Sequence, residues 1–258
     1  MKDLRKTVLR MIAEANTGHL GASLSSIELL AVLYFIKMRH DPENPDWPDR
    51  DRFILSKGHA APALYAVLAE LGYIKKSDLS SLRELGSGLQ GHPDIRLPGV
   101  DASTGSLGHG LSIANGMAIA GKMDGSDRSV YVLLGDGELG EGSIWEAALT
   151  ASHQGLGNLV AIVDRNDYQL TARTKEVKGL EPISDKWISF GWNVIEAEGN
   201  EPDSVLDALD QCTMNREKPN VIIARTTKGK GVSFMEGNRF SNRIPKAEEL
   251  REALSQLS

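Results

Sequence analysis

Short apolar runs alternate along the chain with segments of helical periodicity. The runs are rich in Val, Ile and Leu and are continuous rather than alternating, which predicts strands buried on both faces. The predicted strands are 52–56, 129–134, 158–164, 192–198 and 220–226. The predicted helices are the N-terminal segment with Leu4, Val8, Met11 and Ile12 on one face, followed by 23–38, 61–73, 106–123, 141–155, 183–191 and 201–215. We expect a serine cap to open the helix at 23–38.

This order of elements predicts an α/β fold with a mostly parallel sheet and helices on both faces. We treat residues 1–258 as one domain, because no linker or internal repeat interrupts the pattern. Ligands of such sheets bind beyond the carboxyl ends of the strands. Two polar stretches lie at such ends, "GDG" at 135–137 and "DRND" at 164–167.

Composition and charge narrow the class of protein. The chain carries a net charge of −6 and shows no basic stripe, which argues against nucleic acid as a partner. Its single cysteine, Cys212, permits no internal disulfide and fits a reducing compartment. No apolar run approaches the roughly eighteen residues of a membrane span, and the N-terminus has no signal-peptide pattern. We therefore expect a cytoplasmic protein without a membrane partner.

Asp136 lies at the end of a predicted buried strand, between Gly135 and Gly137. Three interpretations are open. The stretch fits a tight turn in which the carboxylate bonds its neighbours. It also matches G-x-G-x-x-G through Gly140, with Asp164 as a ribose-binding acid, although Asp136 would then repel a pyrophosphate. The third interpretation places a divalent cation, Mg²⁺ or Ca²⁺, against Asp136.

The cation interpretation accounts for more of the residues. Asn166 follows the next strand, and the ends of neighbouring parallel strands lie about 4.8 Å apart, so both side chains can reach one ion. Mg²⁺ and Ca²⁺ take oxygen ligands from carboxylates, amides and substrate phosphates. The cation would then bridge the chain to a diphosphate, which Gly137 allows to approach the backbone.

Histidines form a second pattern. Four of the six follow a glycine, namely His19, His59, His92 and His109. Glycine lets the backbone approach a ligand closely, and imidazole can donate or accept a proton near neutral pH. A single Gly-His pair is usually a solvated loop, but several pairs in loops beside one sheet edge indicate a binding site.

Taken together, the motifs resemble the diphosphate-binding, N-terminal half of the transketolases, a family of thiamine-diphosphate-dependent enzymes. "GDG", a gap of 28 residues and Asn166 match the thiamine-diphosphate motif. The other matching motifs, in the same order and spacing, are "TGHLGASLS" (17–25), "DRFILSKGHA" (51–60), "GHP" (91–93), "PGVDASTGSLGHGLS" (98–112), "GDGELGEGSIWEAA" (135–148) and "DRNDYQL" (164–170).

The resemblance implies a role for each matching residue. The metal ligands would be Asp136, Asn166 and the carbonyl of Tyr168. The cofactor-binding set would be His59, Gly105, Ser106, Leu107, Gly135, Asp136, Gly137, Glu138, Asn166 and Lys228. His19, His59 and His92 would contact and protonate sugar oxygens. Glu141 and Glu146 would link two active sites across a subunit interface, although Glu146 also fits a solvated helix face. The "KGKG" stretch containing Lys228 also fits an exposed basic turn.

Full-length transketolases are more than twice as long as this chain. The resemblance therefore implies the N-terminal subunit of a split transketolase, which transfers a two-carbon ketol unit between sugars or sugar phosphates. A second chain would carry the pyrimidine-binding and C-terminal domains, and two copies of each chain would assemble. The alternatives are a specialised enzyme of secondary metabolism, another thiamine-diphosphate reaction, and a non-catalytic homologue that regulates or scaffolds a transketolase.

Two stretches depart from the family pattern. The family has a histidine after "KGKGVSFME", whereas residues 236–245 contain none. Two explanations are open: Asn238 or Arg239 replaces the histidine, or the partner chain reshapes the segment. "LTART" at 170–174 stands where relatives have an Asp-Gly turn.

Overall fold

A five-stranded parallel sheet lies at the centre of the molecule, as the apolar runs predict. The computed structural model describes residues 1–257, apart from the side chains of Arg239 and Phe240. In chain order the strands are β1 (Arg52–Leu55), β2 (Val130–Gly135), β3 (Leu159–Arg165), β4 (Tyr168–Gln169), β5 (Ala172–Arg173), β6 (Asn193–Glu198) and β7 (Asn220–Arg225). The sheet order is β1-β2-β3-β7-β6 with every pair parallel, and β4 and β5 form a separate antiparallel hairpin.

Helices cover both faces of the sheet. They are α1 (Lys2–Ala15), α2 (Leu20–Ser25), α3 (Ile27–Val32), α4 (Ala61–Leu71), α5 (Gly110–Met123), α6 (Gly142–His153), α7 (Thr174–Val177), α8 (Ile183–Ser189), α9 (Pro202–Met214) and α10 (Ala247–Gln256). Residues of α1 to α4, α9 and α10 belong to one apolar cluster. Residues of α5, α6 and α8 belong to the other. None of the helices in residues 1–257 combines the length and the apolar character that crossing a membrane requires.

Consecutive residues of the central strands bury their side chains in opposite clusters. Along β2, Tyr131 and Leu133 pack with the first cluster, whereas Val132 and Leu134 pack with the second. All four are buried. Because neither face meets water, these strands have continuous apolar runs instead of an alternating pattern.

Two helices begin at residues other than those predicted from the sequence. The helix at 23–38 is divided into α2, α3 and a π-helical turn at Leu33–Lys37, and it begins at Leu20 without a serine cap. The hydroxyl of Ser23 instead donates to the carbonyl oxygen of His19. The helix predicted from residue 106 begins at Gly110, because Gly108 has a left-handed φ of +92° that no α-helix contains.

Among the α-helices and strands of the described residues, four have no counterpart in the predicted elements: both strands of the β4–β5 hairpin, α7 and α10. The hairpin and α7 follow β3 directly and lie beside the predicted metal ligands. Their two-residue strands and four-residue helix are too short to produce a periodic signal.

Candidate active site

A cavity of about 300 Å³ opens at the carboxyl ends of β2 and β3. Gly135 and Asp164 are register partners at these ends, so the two polar motifs meet at one edge of the sheet. The lining residues from the predicted set are His19, His59, His92, Gly105, Leu107, Gly135, Asp136, Gly137, Glu138, Asn166, Tyr168 and Lys228. Lining residues that the sequence reasoning missed are Ala22, Lys57, Gln169, Leu170 and Asn242. Folding therefore brings most of the predicted residues into one cavity.

Asp136 is only 2% exposed, yet no ion pair among the described residues includes it. One carboxylate oxygen accepts from the backbone N–H of Gly137 at 2.8 Å. The other accepts from the N–H of Asp167 at 2.8 Å and from the hydroxyl of Thr174 at 3.1 Å. Burial, reinforced by the charge of Asp164, raises the pKa of Asp136 to about 6. The site thus has a buried carboxylate whose charge would be favoured by a bound cation.

Asn166 lies beside this carboxylate and is also buried. Its amide oxygen accepts from the N–H of Tyr168 at 3.1 Å, and its amide nitrogen lies 3.4 Å from a carboxylate oxygen of Asp164. The hydroxyl of Tyr168 donates to the carbonyl oxygen of Gly237. These contacts fix Asn166 and Tyr168 on one short stretch after β3, next to Asp136.

Lys57 and Asp164 form a fully buried ion pair beneath the cavity. The ammonium of Lys57 also donates to the carbonyl oxygen of Ala22 at 3.2 Å. Asp164 accepts further hydrogen bonds from the hydroxyls of Ser25 and Thr226. Burial opposes the charge of Asp164, but Lys57 and these donors outweigh it and lower its pKa. With no exposure and this partner, Asp164 cannot serve as a ribose-binding acid, so the dinucleotide interpretation is wrong.

One feature of the sequence could have predicted this ion pair: in "FILSK" a lysine follows an apolar strand, where a buried charge needs a partner. Its partner lies 107 positions away, which no local pattern reveals.

Glu138 borders the cavity, but its carboxylate accepts hydrogen bonds from other residues of the chain. One oxygen accepts from the hydroxyl of Ser56 and from the N–H of Gly108 at 2.8 Å. The other accepts from the N–H of Gly135 at 3.1 Å. Burial raises the pKa of Glu138, and these donors oppose the rise. Glu138 therefore joins the end of β1, the loop before α5 and the end of β2, and its predicted cofactor contact stays a prediction.

Three of the Gly-His histidines line the cavity together. The ring centroids of His19 and His59 lie 5.1 Å apart at an interplanar angle of 64°. His92 packs against Gly105, where a Cβ would lie 3.1 Å from the imidazole. This close approach explains the glycine, which also has φ of +154°. His109 is exposed at the start of α5 and does not line the cavity.

Burial favours the neutral form of all three imidazoles. Burial lowers the pKa of His59 to about 3, and the charge of Lys57 contributes to this shift. Burial, followed by the charge of Arg83, lowers the pKa of both His19 and His92. Nδ1 of His19 is shielded from solvent and has no hydrogen-bond partner within the described part of the chain. A neutral imidazole can accept a proton or a hydrogen bond from a ligand.

We expect His59 to reduce the stability of the unliganded chain as the pH falls from about 6, because its pKa is 6.5 when unfolded and about 3 when folded. Between these values the unfolded chain binds the extra proton, so this contribution to the free energy of unfolding decreases by up to about 1.4 kcal/mol per pH unit. The raised pKa of Asp136 acts in the opposite direction, so the effect of His59 is the difference between the wild type and a His59 variant. Urea unfolding of the wild type and of His59→Gln across this range measures the effect. On acidification the wild type should lose stability relative to the variant, and equal slopes would contradict the prediction.

Lys228 is only 3% exposed, so the interpretation of "KGKG" as an exposed turn is wrong for this residue. Its ammonium donates to the carbonyl oxygen of Leu170 at 2.6 Å. Burial, together with the charge of Lys57, lowers the pKa of Lys228 to about 8. The cavity thus has a buried positive charge close to Asp136.

Three predicted residues lie outside the cavity lining. Ser106 is exposed between Gly105 and Leu107, which both line the cavity. Glu141 and Glu146 are exposed at the start of α6 and along it. Their predicted role at a subunit interface stays a prediction, because the structure contains a single chain.

Neither candidate for the missing histidine is placed in the cavity by the described residues. The amide nitrogen of Asn238 donates to the carbonyl oxygen of Phe234 at 2.9 Å, and Asn238 is not among the lining residues. The side chain of Arg239 lies outside the described part of the chain.

Comparisons with known proteins identify the family of this chain. The family model described as "Transketolase, thiamine diphosphate binding domain" matches residues 1–255. One subunit of the apulose-4-phosphate transketolase of Phocaeicola vulgatus is 46% identical over 255 residues, covering 98% of this chain and 91% of that protein. The 6-deoxy-6-sulfo-D-fructose transketolase subunit SqwG of a Clostridium species is 45% identical over 251 residues, covering 97% and 91%.

Comparison with solved structures identifies the same family. A crystal structure of a transketolase variant from Pichia stipitis superposes with a TM-score of 0.94 at 32% identity. The superposition covers 100% of this chain but 40% of that one.

Proposed function

This chain belongs to the transketolase family, and from this premise we propose that it is the diphosphate-binding subunit of a two-component transketolase. The enzyme transfers a two-carbon ketol unit from a ketose or its phosphate to an aldose or its phosphate. The observation that carries the proposal is one cavity lined both by the buried carboxylate of Asp136 and by three histidines whose pKa values burial lowers. The match to almost the whole length of two proteins named as transketolase subunits supports the two-component form.

The residues present fit thiamine diphosphate with a divalent cation. Asp136, Asn166 and the Tyr168 carbonyl would hold Mg²⁺ or Ca²⁺, and the cation would balance the buried charge of Asp136. Among residues 1–257 no three His, Cys, Asp or Glu side chains form a metal-binding group. The cation would therefore need further oxygens, which a diphosphate supplies. Gly137 and Lys228 would contact that diphosphate, and Gly105 and Leu107 the aminopyrimidine ring.

When bound, thiamine diphosphate supplies the carbon nucleophile that takes up the ketol unit. The chain's own contribution is to hold the substrate beside it. His19, His59 and His92 would bind sugar oxygens, and their lowered pKa values favour neutral imidazoles, each of which can donate one hydrogen bond and accept another. Leu107 lines the same cavity as the histidines and would help to exclude water from the reacting atoms.

The proposed partner is a chain with the pyrimidine-binding domain, and we propose that two copies of each chain assemble in the cytoplasm. The sugars named for the two relatives differ, apulose-4-phosphate in one and 6-deoxy-6-sulfo-D-fructose in the other. Membership of this family therefore leaves the donor and the acceptor open, and the partner chain would contribute to that choice.

The decisive experiment measures ketol transfer by the purified chain, by the pyrimidine-domain chain and by their mixture, with thiamine diphosphate and Mg²⁺ present. We expect the mixture to exceed either chain alone by at least about 100-fold, because each holds only part of the catalytic groups. Full activity of this chain alone would refute the two-component form. An assembled complex that binds no cofactor would instead favour a scaffold role.

A further inference from the structure

Arg83 lies in the loop before the cavity histidine His92 and has a backbone conformation that few residues adopt. Its φ is +63°, in the left-handed region, and its N–H donates to the carbonyl oxygen of Leu89 at 2.7 Å, which closes the loop between the two residues. Side chains with a Cβ disfavour this conformation, and residues strained in this way cluster at functional sites. The contacts of the arginine side chain indicate what such a role would be.

The guanidinium of Arg83 contacts two segments that each lead to a cavity histidine. Its Nη1 donates to the hydroxyl of Thr17 at 2.7 Å, two residues before His19. The same guanidinium packs against Gly91, directly before His92, where a Cβ would lie only 2.6 Å from the Cζ of Arg83. Glycine at this position is therefore what leaves room for the guanidinium. One side chain connects the two Gly-His segments.

A second residue fixes one of these segments to the body of the fold. The hydroxyl of Tyr65, in α4, lies 2.9 Å from the carbonyl oxygen of Gln90 and 3.0 Å from that of His92. Both acceptors belong to the His92 segment, on either side of Gly91. The contacts of Arg83 with Gly91 and Thr17 then tie this fixed segment to that of His19.

Arg83 lies close to the two histidines but does not line the cavity. After burial, its charge is the next cause that lowers the pKa of both His19 and His92, so the guanidinium is within electrostatic reach of both rings. Arg83 is half-buried, and no ion pair among the described residues includes it. Its contacts therefore serve the two histidine segments instead of neutralising a carboxylate.

We infer that Arg83 is a positioning residue for the proposed ketol transfer, which holds the segments of His19 and His92 at the separation that the sugar oxygens require. This inference rests on the proposed function and adds a residue to its machinery. Arg83 acts through the two imidazoles and not on the substrate itself. Such alignment matters because a misplacement of about 1 Å can reduce a rate by about 100-fold.

The kinetic experiment uses the assembled two-chain enzyme with saturating thiamine diphosphate and Mg²⁺. Arg83→Met removes the donors and the charge, whereas Thr17→Val removes the acceptor and leaves the charge in place. We expect kcat for ketol transfer to fall by about tenfold or more in Arg83→Met and by about threefold or more in Thr17→Val. The affinity for thiamine diphosphate should change by less than about threefold in both. Arg251→Met, at an exposed position of α10, is the matched control and should change neither quantity.

Crystal structures of the assembled wild type, Arg83→Met and Thr17→Val locate the imidazoles independently of activity. In both variants the separation of His19 and His92 should differ from that of the wild type by about 1 Å or more. The predicted metal ligands Asp136 and Asn166 should keep their positions, because neither contacts Arg83 or Thr17 among the described residues.

An unchanged kcat in Arg83→Met overturns the inference. A lower kcat with both imidazoles at their wild-type positions overturns it as well, because Arg83 would then act by its charge or directly on the substrate. If Arg83→Met does not fold, Thr17→Val decides, and a wild-type kcat with wild-type imidazole positions in that variant refutes the positioning role. A wild-type complex without ketol transfer instead refutes the proposed function, while the imidazole separations still test what Arg83 holds in place.

Discussion

Replacing Asp136 with asparagine is expected to abolish Mg²⁺-dependent binding of thiamine diphosphate, with a loss in affinity of at least about 100-fold. Metal sites already lose about 10- to 100-fold when a residue that only supports a ligand is changed, so removing a charged ligand should cost more. The amide has nearly the same shape as the carboxylate, which keeps the substitution local. Isothermal titration of the assembled complex with cofactor, at several Mg²⁺ concentrations, measures the effect.

The unliganded fold should tolerate this change. Asp136 is buried without an ion pair among the described residues, and burial raises its pKa to about 6. Removing the charge relieves that desolvation, but the amide has one acceptor oxygen where the carboxylate uses two, for Gly137 and for Asp167 with Thr174. The unliganded Asp136→Asn chain should therefore stay folded and lose no more than about 1–3 kcal/mol of stability. Glu70→Gln is the matched control, because Glu70 is an exposed carboxylate paired with Lys76 at 2.6 Å. Equal Mg²⁺ dependence in Asp136→Asn and the wild type would refute the metal assignment.

Replacing Lys57 with methionine is expected to destabilise the chain by about 3–5 kcal/mol, the usual cost of leaving one buried charge without its partner. Lys57 is 1% exposed and Asp164 is fully buried, so water cannot replace the lost ammonium. Urea unfolding with two independent probes gives the free energy of unfolding and tests whether the transition remains two-state.

A second substitution separates the lost charge from lost packing. Asp164→Asn in the Lys57→Met background removes the unpaired charge and should recover part of the stability. Ser25 and Thr226 donate to different oxygens of Asp164, so the amide oxygen keeps one of these hydrogen bonds and the other hydroxyl can instead accept from the amide nitrogen. Lys76→Met removes an exposed partner and should change stability by no more than about 1 kcal/mol. If the double variant is no more stable than Lys57→Met alone, packing rather than charge explains the loss.

Two carboxylates at one edge of the sheet are treated differently by the fold. Asp136 lies at the end of β2 and forms no ion pair among the described residues, whereas Asp164, its neighbour at the end of β3, pairs with Lys57. The first carboxylate is available to a ligand and the second is neutralised internally. Two similar acids thus have different roles because of one lysine.

The sequence by itself determined the class of fold and the core of the site. Buried parallel strands leave continuous apolar runs, and turn motifs at their ends are local, so "GDG" and Asn166 could be placed at one sheet edge from spacing alone. The resemblance to transketolases, confirmed by the family match, then identified the cofactor. These features can be predicted from the sequence because each depends on residues close together in the chain.

Only the tertiary structure decided which polar groups are already used. Glu138 accepts a hydrogen bond from Ser56, 82 positions away, and Asp164 forms an ion pair with Lys57, 107 positions away. The same folding brings Arg83 to Thr17, 66 positions away. Hydrogen bonds and charge pairs between distant segments form only when the chain packs. The sequence could therefore identify polar residues near the site but could not distinguish those bound by the protein from those available to a ligand.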